Sequence, residues 1–389
     1  MQRVIRKESS MKDKVLLVDD DEMLLAGLKR QLRNHFRIET AINGEEALRM
    51  VEENGPYAVV VSDYMMPGMN GIELLRHVKI TSPDTIRMML TGSADMSTAI
   101  KAVNEGSIYK FHPKPCPAQT LGSAIQSGID EYLKVTTDQT QLKKVQKSLA
   151  KASKIQRMLM PKSDPQVEGF DIAGKSIPCD ETGGDYYDFI NPAEWGREKI
   201  GIVVADVIGH GISAALLMTS VRAFFRERIL SPGAGVAIVS DVNKRLVQDI
   251  EEHNLFITMF YSEIDLNENC FRWVHAGHES ALHYDPAKDA FATLGGEGVP
   301  LGVIGEWGYE ESKIPFAPGQ IILIATDGIK EACNPVNEHF GNERLQTVIR
   351  NHYRKPAKDI LQAVFDALAD FRHTAERKDD ETLVVIKSL

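Results

Sequence analysis

Gly201-Ile-Val-Val-Ala-Asp-Val-Ile-Gly-His-Gly211 is the stretch from which the longer part of the chain can be read. Ile202 to Ala205 is an unbroken apolar run, the pattern of a strand covered on both faces. It leads into a carboxylate, Asp206, and then a turn with glycines at Gly209 and Gly211. An acid at the end of a buried strand is costly unless a cation meets it. The pattern recurs at Ile321 to Ala325, which leads to Thr326-Asp327-Gly328. Asp185 lies in Gly183-Gly-Asp-Tyr-Tyr-Asp188, and Asp379 precedes the apolar run Leu383 to Ile386. One Asp-Gly after a strand is usually only a turn. Four acids, each at the edge of an apolar run, weaken that reading. Carboxylates with no nearby run of Cys or clustered His suit hard cations such as Mg2+ or Mn2+. His275 and His278 lack a third nitrogen or sulfur nearby and are not read as zinc ligands. His278 is expected to be structural, close to the acids.

Upstream, from Lys14, short apolar runs alternate with amphipathic stretches. Val15 to Val18, Tyr57 to Val61 and Ile86 to Leu90 read as strands; Glu22 to Asn34, Gly44 to Glu53 and Gly71 to Thr81 read as helices. That alternation predicts a five-stranded, doubly wound parallel α/β sheet. Chemistry in such sheets sits outside the carboxyl ends of the strands. Asp19, Asp20 and Asp21 follow the first strand, Asp63 the third, Thr91 the fourth and Lys114-Pro115 the fifth. Three consecutive acids also suit a helix N-terminus, so Asp63, Thr91 and Lys114 are what lift the cluster above a cap.

Composition narrows the classes. At 389 residues, 43% hydrophobic and 26% charged, the chain is long enough for two or three globular domains. A net charge of -10 argues against nucleic acid as the main partner. Cys116, Cys179, Cys270 and Cys333 stand far apart, the usage of a reducing cytosol, and are expected to be unremarkable buried thiols. No apolar run reaches the ~18 residues of a membrane helix, and the first residues lack the apolar core of a signal peptide. A cytoplasmic location is expected. Residues 1–12 read as a disordered tail, with Met11 a conceivable alternative start.

Residues 128–160 read as a helical linker. Leu142, Val145, Leu149, Ala152 and Leu159 recur at three- and four-residue steps, interrupted by Gln156, with lysines on other faces. Either a single amphipathic helix or a two-stranded coiled coil, hence a homodimer, fits that spacing. Beyond Pro161 strand and helix patterns are mixed, as in two antiparallel sheets covered by helices.

The ordered motifs Gly183-Gly-Asp-Tyr-Tyr-Asp188, Ala205-Asp-Val-Ile-Gly-His-Gly211, Ala276-Gly-His278, Ala325-Thr-Asp-Gly328 and Asp379-Asp-Glu-Thr382 resemble the metal-dependent PPM-type serine/threonine phosphatases. The similarity is greatest to the bacterial branch that regulates sigma factors and sporulation. Residues 13–127 resemble the receiver domain of two-component response regulators. The resemblances imply three parts: a receiver at 13–127, the linker at 128–160, and an α-β-β-α sandwich phosphatase domain at 161–389. For the receiver they imply a phosphoryl acceptor at Asp63. Mg2+ would be held by Asp20, Asp63 and the Met65 carbonyl, with Asp19 in its outer shell. Thr91 and Lys114 would bind phosphoryl oxygens, and Phe111 would occupy the aromatic switch position.

For the phosphatase the resemblance implies two Mn2+ or Mg2+ ions. Asp206 would bridge them, the Val207 carbonyl would bind one, and Asp327 and Asp379 would bind the other. Asp185 would orient water. The wider family carries a histidine two residues after the bridging acid; here Ile208 stands there and His210 comes two later, so the general acid stays open. The implied partners are a histidine kinase or phosphotransfer protein upstream, and a phosphorylated anti-sigma-factor antagonist as substrate. Ile155-Gln-Arg-Met-Leu-Met-Pro161 resembles the Gln-rich helix ending in Leu-Pro that precedes the catalytic domain in this branch, where it acts as a switch element. The competing reading is a catalytically silent adaptor that binds a partner under receiver control.

Overall fold

The computed structural model describes residues 14–92, 108–190, 199–231, 233–250, 255–265 and 268–389; the tail at 1–12 and Met11 lie outside them. The chain divides into two compact units, residues 1–146 and 147–389.

The first unit is a five-stranded parallel sheet of β1 (Lys14–Val18), β2 (Arg37–Ala41), β3 (Val59–Asp63), β4 (Ile86–Thr91) and β5 (Lys110–Pro113), in the order β2-β1-β3-β4-β5. Its described helices begin with α1 (Glu22–Leu32), α2 (Gly44–Asn54) and α3 (Gly71–Thr81). Strand alternation feeds two cores. Val15 and Leu17 face the side covered by Leu25, Leu28 and Leu32 of α1, while Leu16 and Val18 face Leu74, Leu75 and Val78 of α3. Asp63 and Thr91 are the last residues of their strands rather than the residues after them.

The fourth helix, α4, runs unbroken from Ala118 to Leu159. Leu121, Ile125, Ile129 and Tyr132, at helical spacing, pack into the first unit's core. Residues 128–160 therefore continue a helix already under way. Its last turns, from Lys147 on, belong to the second unit and pack there by a face the apolar spacing did not single out. Gln156 is buried there; its Nε2 donates to the Gly183 carbonyl at 2.5 Å, and its Oε1 accepts from the Gly183 N–H at 3.1 Å. Leu142 and Val145 are exposed, 59% and 55%. Gln156 is thus an anchor, not an interruption.

The second unit is a sandwich of two five-stranded antiparallel sheets. One contains β7 (Tyr186–Ile190), β8 (Lys199–Val207), β9 (Ile257–Asp265), β10 (Cys270–Ala276) and β13 (Glu311–Pro315), ordered β13-β10-β9-β8-β7. The other contains β6 (Phe170–Ile177), β11 (Ala281–Asp285), β12 (Ala290–Leu294), β14 (Ile321–Ala325) and β15 (Glu381–Ser388), ordered β12-β11-β14-β15-β6. Ile200, Ile202 and Val204 meet Ile322, Ile324, Val384 and Ile386 between the sheets. The alternate residues of β8, among them Val203 and Ala205, pack beneath α5 (Gly211–Arg228) and α6 (Gly235–Ile250). On the far side Leu323, Leu383 and Val385 pack against α8 (Gly341–His352) and α9 (Ala357–Arg372); the short α7 (Asp327–Glu331) follows β14. β8, β14 and β15 are covered on both faces, which is why each contains a continuous apolar run. The layers are helices, sheet, sheet, helices. One expectation fails: only Cys270 is buried, and Cys116, Cys179 and Cys333 are half-exposed.

Candidate functional site

In the first unit, Asp19, Asp20 and Asp63 bring carboxylate oxygens within 4.8 Å of one another. Asp21 is not part of that group. It is the N-cap of α1, accepting from the Met23 and Leu24 N–H groups at 2.9 and 3.0 Å. The run of three acids therefore divides: one caps, two face the strand ends. Lys114 Nζ lies 2.7 Å from Asp19 Oδ2 and 2.8 Å from Asp63 Oδ1. Burial raises the Asp63 pKa above the ordinary carboxylate range, against the pull of Lys114. The lysine itself, though partly desolvated, is pushed up by its bonds to the two acids. Thr91 is fully buried, Phe111 is half-buried and Met65 is exposed. A Cβ on Gly71 would stand 2.1 Å from the Asp63 carbonyl, so only glycine lets α3 start there.

In the second unit the four singled-out acids fall at the same end of four strands, two in each sheet. Asp185 immediately precedes β7, and Asp206 is the penultimate residue of β8. Asp327 opens α7 just after β14, and Asp379 sits two residues before β15. The sheets are tied together at this end. Thr326 Oγ1 donates to Asp185 Oδ2 at 2.9 Å and accepts from the Thr382 N–H at 3.1 Å. Asp380 accepts from the N–H groups of Cys179 at 2.8 Å, Gly184 at 2.6 Å and Asp185 at 3.3 Å. A Cβ on Gly328 would stand 2.0 Å from the Asp380 carbonyl, which explains the glycine after Asp327.

Burial comes first among the causes that raise all four proton affinities, followed by the acids' mutual repulsion. Asp185 is held well above the carboxylate range, also by Asp206 and Asp380. Asp206 is pushed up to about 8, also by Asp327 and Asp379, and Asp327 to about 6. Asp379 is raised as well. Asp185 Oδ1 is buried without a hydrogen-bond partner. Among the described residues no lysine or arginine forms an ion pair with any of the four. An all-oxygen donor set with an orphaned buried oxygen fits hard divalent cations.

The other acid of the first motif has a different task. Asp188 is taken up by Arg226, with Nε–Oδ2 at 2.6 Å and Nη2–Oδ1 at 2.8 Å, and by the Tyr186 hydroxyl at 2.7 Å. His210 is the N-cap residue of α5, with Nδ1 2.6 Å from Asp180 Oδ2. Buried His278 bonds Thr258 Oγ1 through Nδ1 at 2.7 Å; burial holds its pKa down at about 3, so it is a neutral structural group. Beside Asp327 and Asp379 opens a cleft of about 350 Å3, lined by Glu331, His339, Arg372, Arg377 and Lys378 among others. Arg372 and Arg377 both pair with buried Glu381, at 2.5 and 3.0 Å.

Sequence reasoning gave no role to Asp380 or Thr326 and no partner to Gln156. Asp380 was masked by its neighbour: two adjacent acids before a strand do not say which will face a metal and which will hold the loop.

Comparison with known proteins bears on the two domains. Residues 15–126 match the response regulator receiver domain, and residues 196–388 match Stage II sporulation protein E (SpoIIE). Phosphoserine phosphatase RsbU of Bacillus subtilis is 30% identical over 236 residues, which span 61% of this chain and 68% of RsbU. Phosphoserine phosphatase RsbP of the same organism is 25% identical over 209 residues, 53% of this chain and 49% of RsbP. The solved SiaA-PP2C domain of Pseudomonas aeruginosa superposes with a TM-score of 0.56 at 25% identity, covering 63% of this chain and 98% of that domain. Fold and site together define a receiver domain followed by a PP2C-type phosphatase domain. Within that class the chain belongs to the family of phosphoserine phosphatase RsbU, and its residues 196–388 are of the SpoIIE type. No described helix is long and apolar enough to cross a membrane.

Proposed function

We propose that this chain is a two-component response regulator whose output is a metal-dependent phosphoprotein phosphatase. It would act on phosphoserine or phosphothreonine of a protein, an anti-sigma-factor antagonist being the class that the motif resemblance implies. The observation that carries the reading is the set of four acids at one end of the sandwich, with Asp206 pushed up to about 8 and no lysine or arginine paired to them among the described residues. Asp206, Asp327, Asp379 and the Val207 carbonyl would hold two Mn2+ or Mg2+ ions. Bound there, the ions would supply Lewis acidity and an activated water for in-line attack at phosphorus. Asp185, fixed by Thr326 and by the Asp380 loop, would orient that water. The cleft beside Asp327 and Asp379 would receive the phosphoprotein segment.

In the receiver, Asp63 would attack the phosphoryl group of a histidine kinase or phosphotransfer partner, giving an aspartyl phosphate. Asp19, Asp20, Asp63 and the Met65 carbonyl would organise Mg2+. Lys114 and Thr91 would then take the phosphoryl oxygens, and Phe111 would follow the change. The buried Gln156–Gly183 contact joins the end of α4 to the backbone two residues before Asp185, so a shift of that helix would reach the water-orienting acid.

The test is incubation of the purified chain with a phosphorylated anti-sigma-factor antagonist, with and without a phosphoryl mimic on Asp63. Mn2+-dependent phosphate release that changes with the mimic is expected. Tight binding of the antagonist without hydrolysis, together with no turnover of a generic phosphate ester, would move the reading to a silent adaptor.

A further inference from the structure

A group of mixed donor atoms lies near Asp379 and Asp380. The Cys179 sulfur, an Asp180 carboxylate oxygen and a His210 ring nitrogen fall within 4.8 Å of one another. Among the described residues only one other trio is drawn together so closely, the receiver's Asp19, Asp20 and Asp63. The two differ in chemistry. An all-carboxylate trio suits hard cations; thiol, imidazole and carboxylate together suit a borderline metal such as Zn2+.

We propose that Cys179, Asp180 and His210 form an accessory zinc-type site that staples the loop before Asp185 to the turn after Asp206. Backbone geometry sets the trio up from two sides. The Cys179 N–H is tied to Asp380 Oδ1 at 2.8 Å, which fixes the thiol's starting point. His210 stands between Gly209 and Gly211, both in the left-handed region at φ 83° and 76°, so a tight turn carries the imidazole outward. Although it is the N-cap of α5, its side chain makes no capping bond and is not committed to the helix.

A tetrahedral ion with bonds of about 2.0–2.3 Å needs ligand atoms roughly 3.3–3.8 Å apart. The His210–Asp180 hydrogen bond at 2.6 Å would have to open to admit the ion, and the two side chains, 60% and 46% exposed, are free to do so without disturbing the core. Three protein ligands leave a fourth position open. Asp180 and His210 already pair at 2.6 Å, and the thiol of the neighbouring Cys179 adds a third, softer donor to that pair. The other histidine pair offers no such site. His275 Nε2 is bonded to the His278 carbonyl, and His278 Nδ1 to Thr258.

The proposal does not rest on phosphatase activity, and its readout is optical. The reduced full-length protein is equilibrated with excess Mg2+ to occupy the oxygen-donor sites, then titrated with Co2+. Bonding to the thiolate gives a near-ultraviolet sulfur-to-cobalt charge-transfer band, which an all-oxygen site cannot give. One equivalent of Co2+ should saturate the band, and Zn2+ should bleach it. Cys179→Ser should remove it, while Cys116→Ser, Cys270→Ser and Cys333→Ser keep it. His210→Ala and Asp180→Asn, which leave the thiol in place, should each weaken Co2+ binding more than about tenfold. No band in the wild-type protein, or a band that survives Cys179→Ser, overturns the site. Unchanged affinity in both His210→Ala and Asp180→Asn overturns the assigned ligands.

Discussion

In the receiver, Asp19 and Asp63 meet Lys114; in the sandwich, Asp185, Asp206, Asp327 and Asp379 meet no lysine or arginine among the described residues. Both clusters gather acids at strand ends. One carries its own counter-charge, on a side chain that a bound phosphoryl group would also use. The other leaves a buried oxygen orphaned and holds one carboxyl near pH 8. A cluster with a built-in cation can stand without metal and be switched by a change of ligand. A cluster without one depends on ions from solution for its charged form.

The comparison breaks most sharply at Asp206. Asp206→Asn should cut Mn2+-dependent hydrolysis by well over the ~10–100-fold that loss of an outer-shell partner costs, measured on any phosphate ester the wild type turns over. A loss below tenfold would remove Asp206 from the centre of the site.

Metal should also change stability, and with a definite sign. In the metal-free protein Asp206 titrates near 8 and Asp327 near 6, both above their unfolded values. Their contribution to stability is therefore fully present below about pH 4, the unfolded carboxylate value, and is lost progressively as pH rises from there to about 6 for Asp327 and about 8 for Asp206. Divalent ions compete with those protons, so their stabilisation grows over the same window. At about 100 times the dissociation constant, binding adds roughly 2.7 kcal/mol, or about 5–10 °C for a unit of this size. Calorimetry should show the second unit gaining more from Mn2+ at pH 8 than at pH 5.5. Equal gains would mean that the acids are not what the metal meets.

Lys114→Ala should turn the receiver into a cluster of the other kind. Its melting should fall by several degrees in EDTA and recover more with Mg2+ than the wild type does, because a buried acid pair has lost its cation. An unchanged Mg2+ response would show that the lysine does not stand in for metal. The smallest expected effect is at the helix anchor. Gln156→Ala leaves the Gly183 N–H and carbonyl without their partner, about 1–3 kcal/mol if they stay dry, and should lower the second unit's melting by a few degrees.

Much of this was legible in the residues. Alternating short apolar runs and helices gave the receiver sheet, and β8 and β14 betrayed a strand buried on both faces before any coordinate. The site acids were legible because each ended or preceded such a run. What escaped were contacts between segments distant in sequence. Asp380 reaches back about 200 positions to the Cys179–Asp185 loop, and no local pattern marks it. Gln156 looked like a flaw in an apolar seam because spacing records hydrophobicity, not a bidentate fit to one buried peptide. The thiols were misjudged for a related reason: composition speaks to redox compartment, and exposure is decided by the loop each cysteine ends on.

One measurement reaches the central claim, that the chain holds one self-countered and one metal-dependent acid cluster with separate tasks. Full-length wild type and Asp63→Ala are stripped with EDTA, then assayed for phosphate release from a phosphoserine protein before and after Mn2+, with and without acetyl phosphate. No turnover in EDTA is expected from either protein. Mn2+ should restore the same basal rate to both, and only the wild type should respond to acetyl phosphate. Turnover in the metal-free protein, or loss of the Mn2+-restored basal rate in Asp63→Ala, would contradict it.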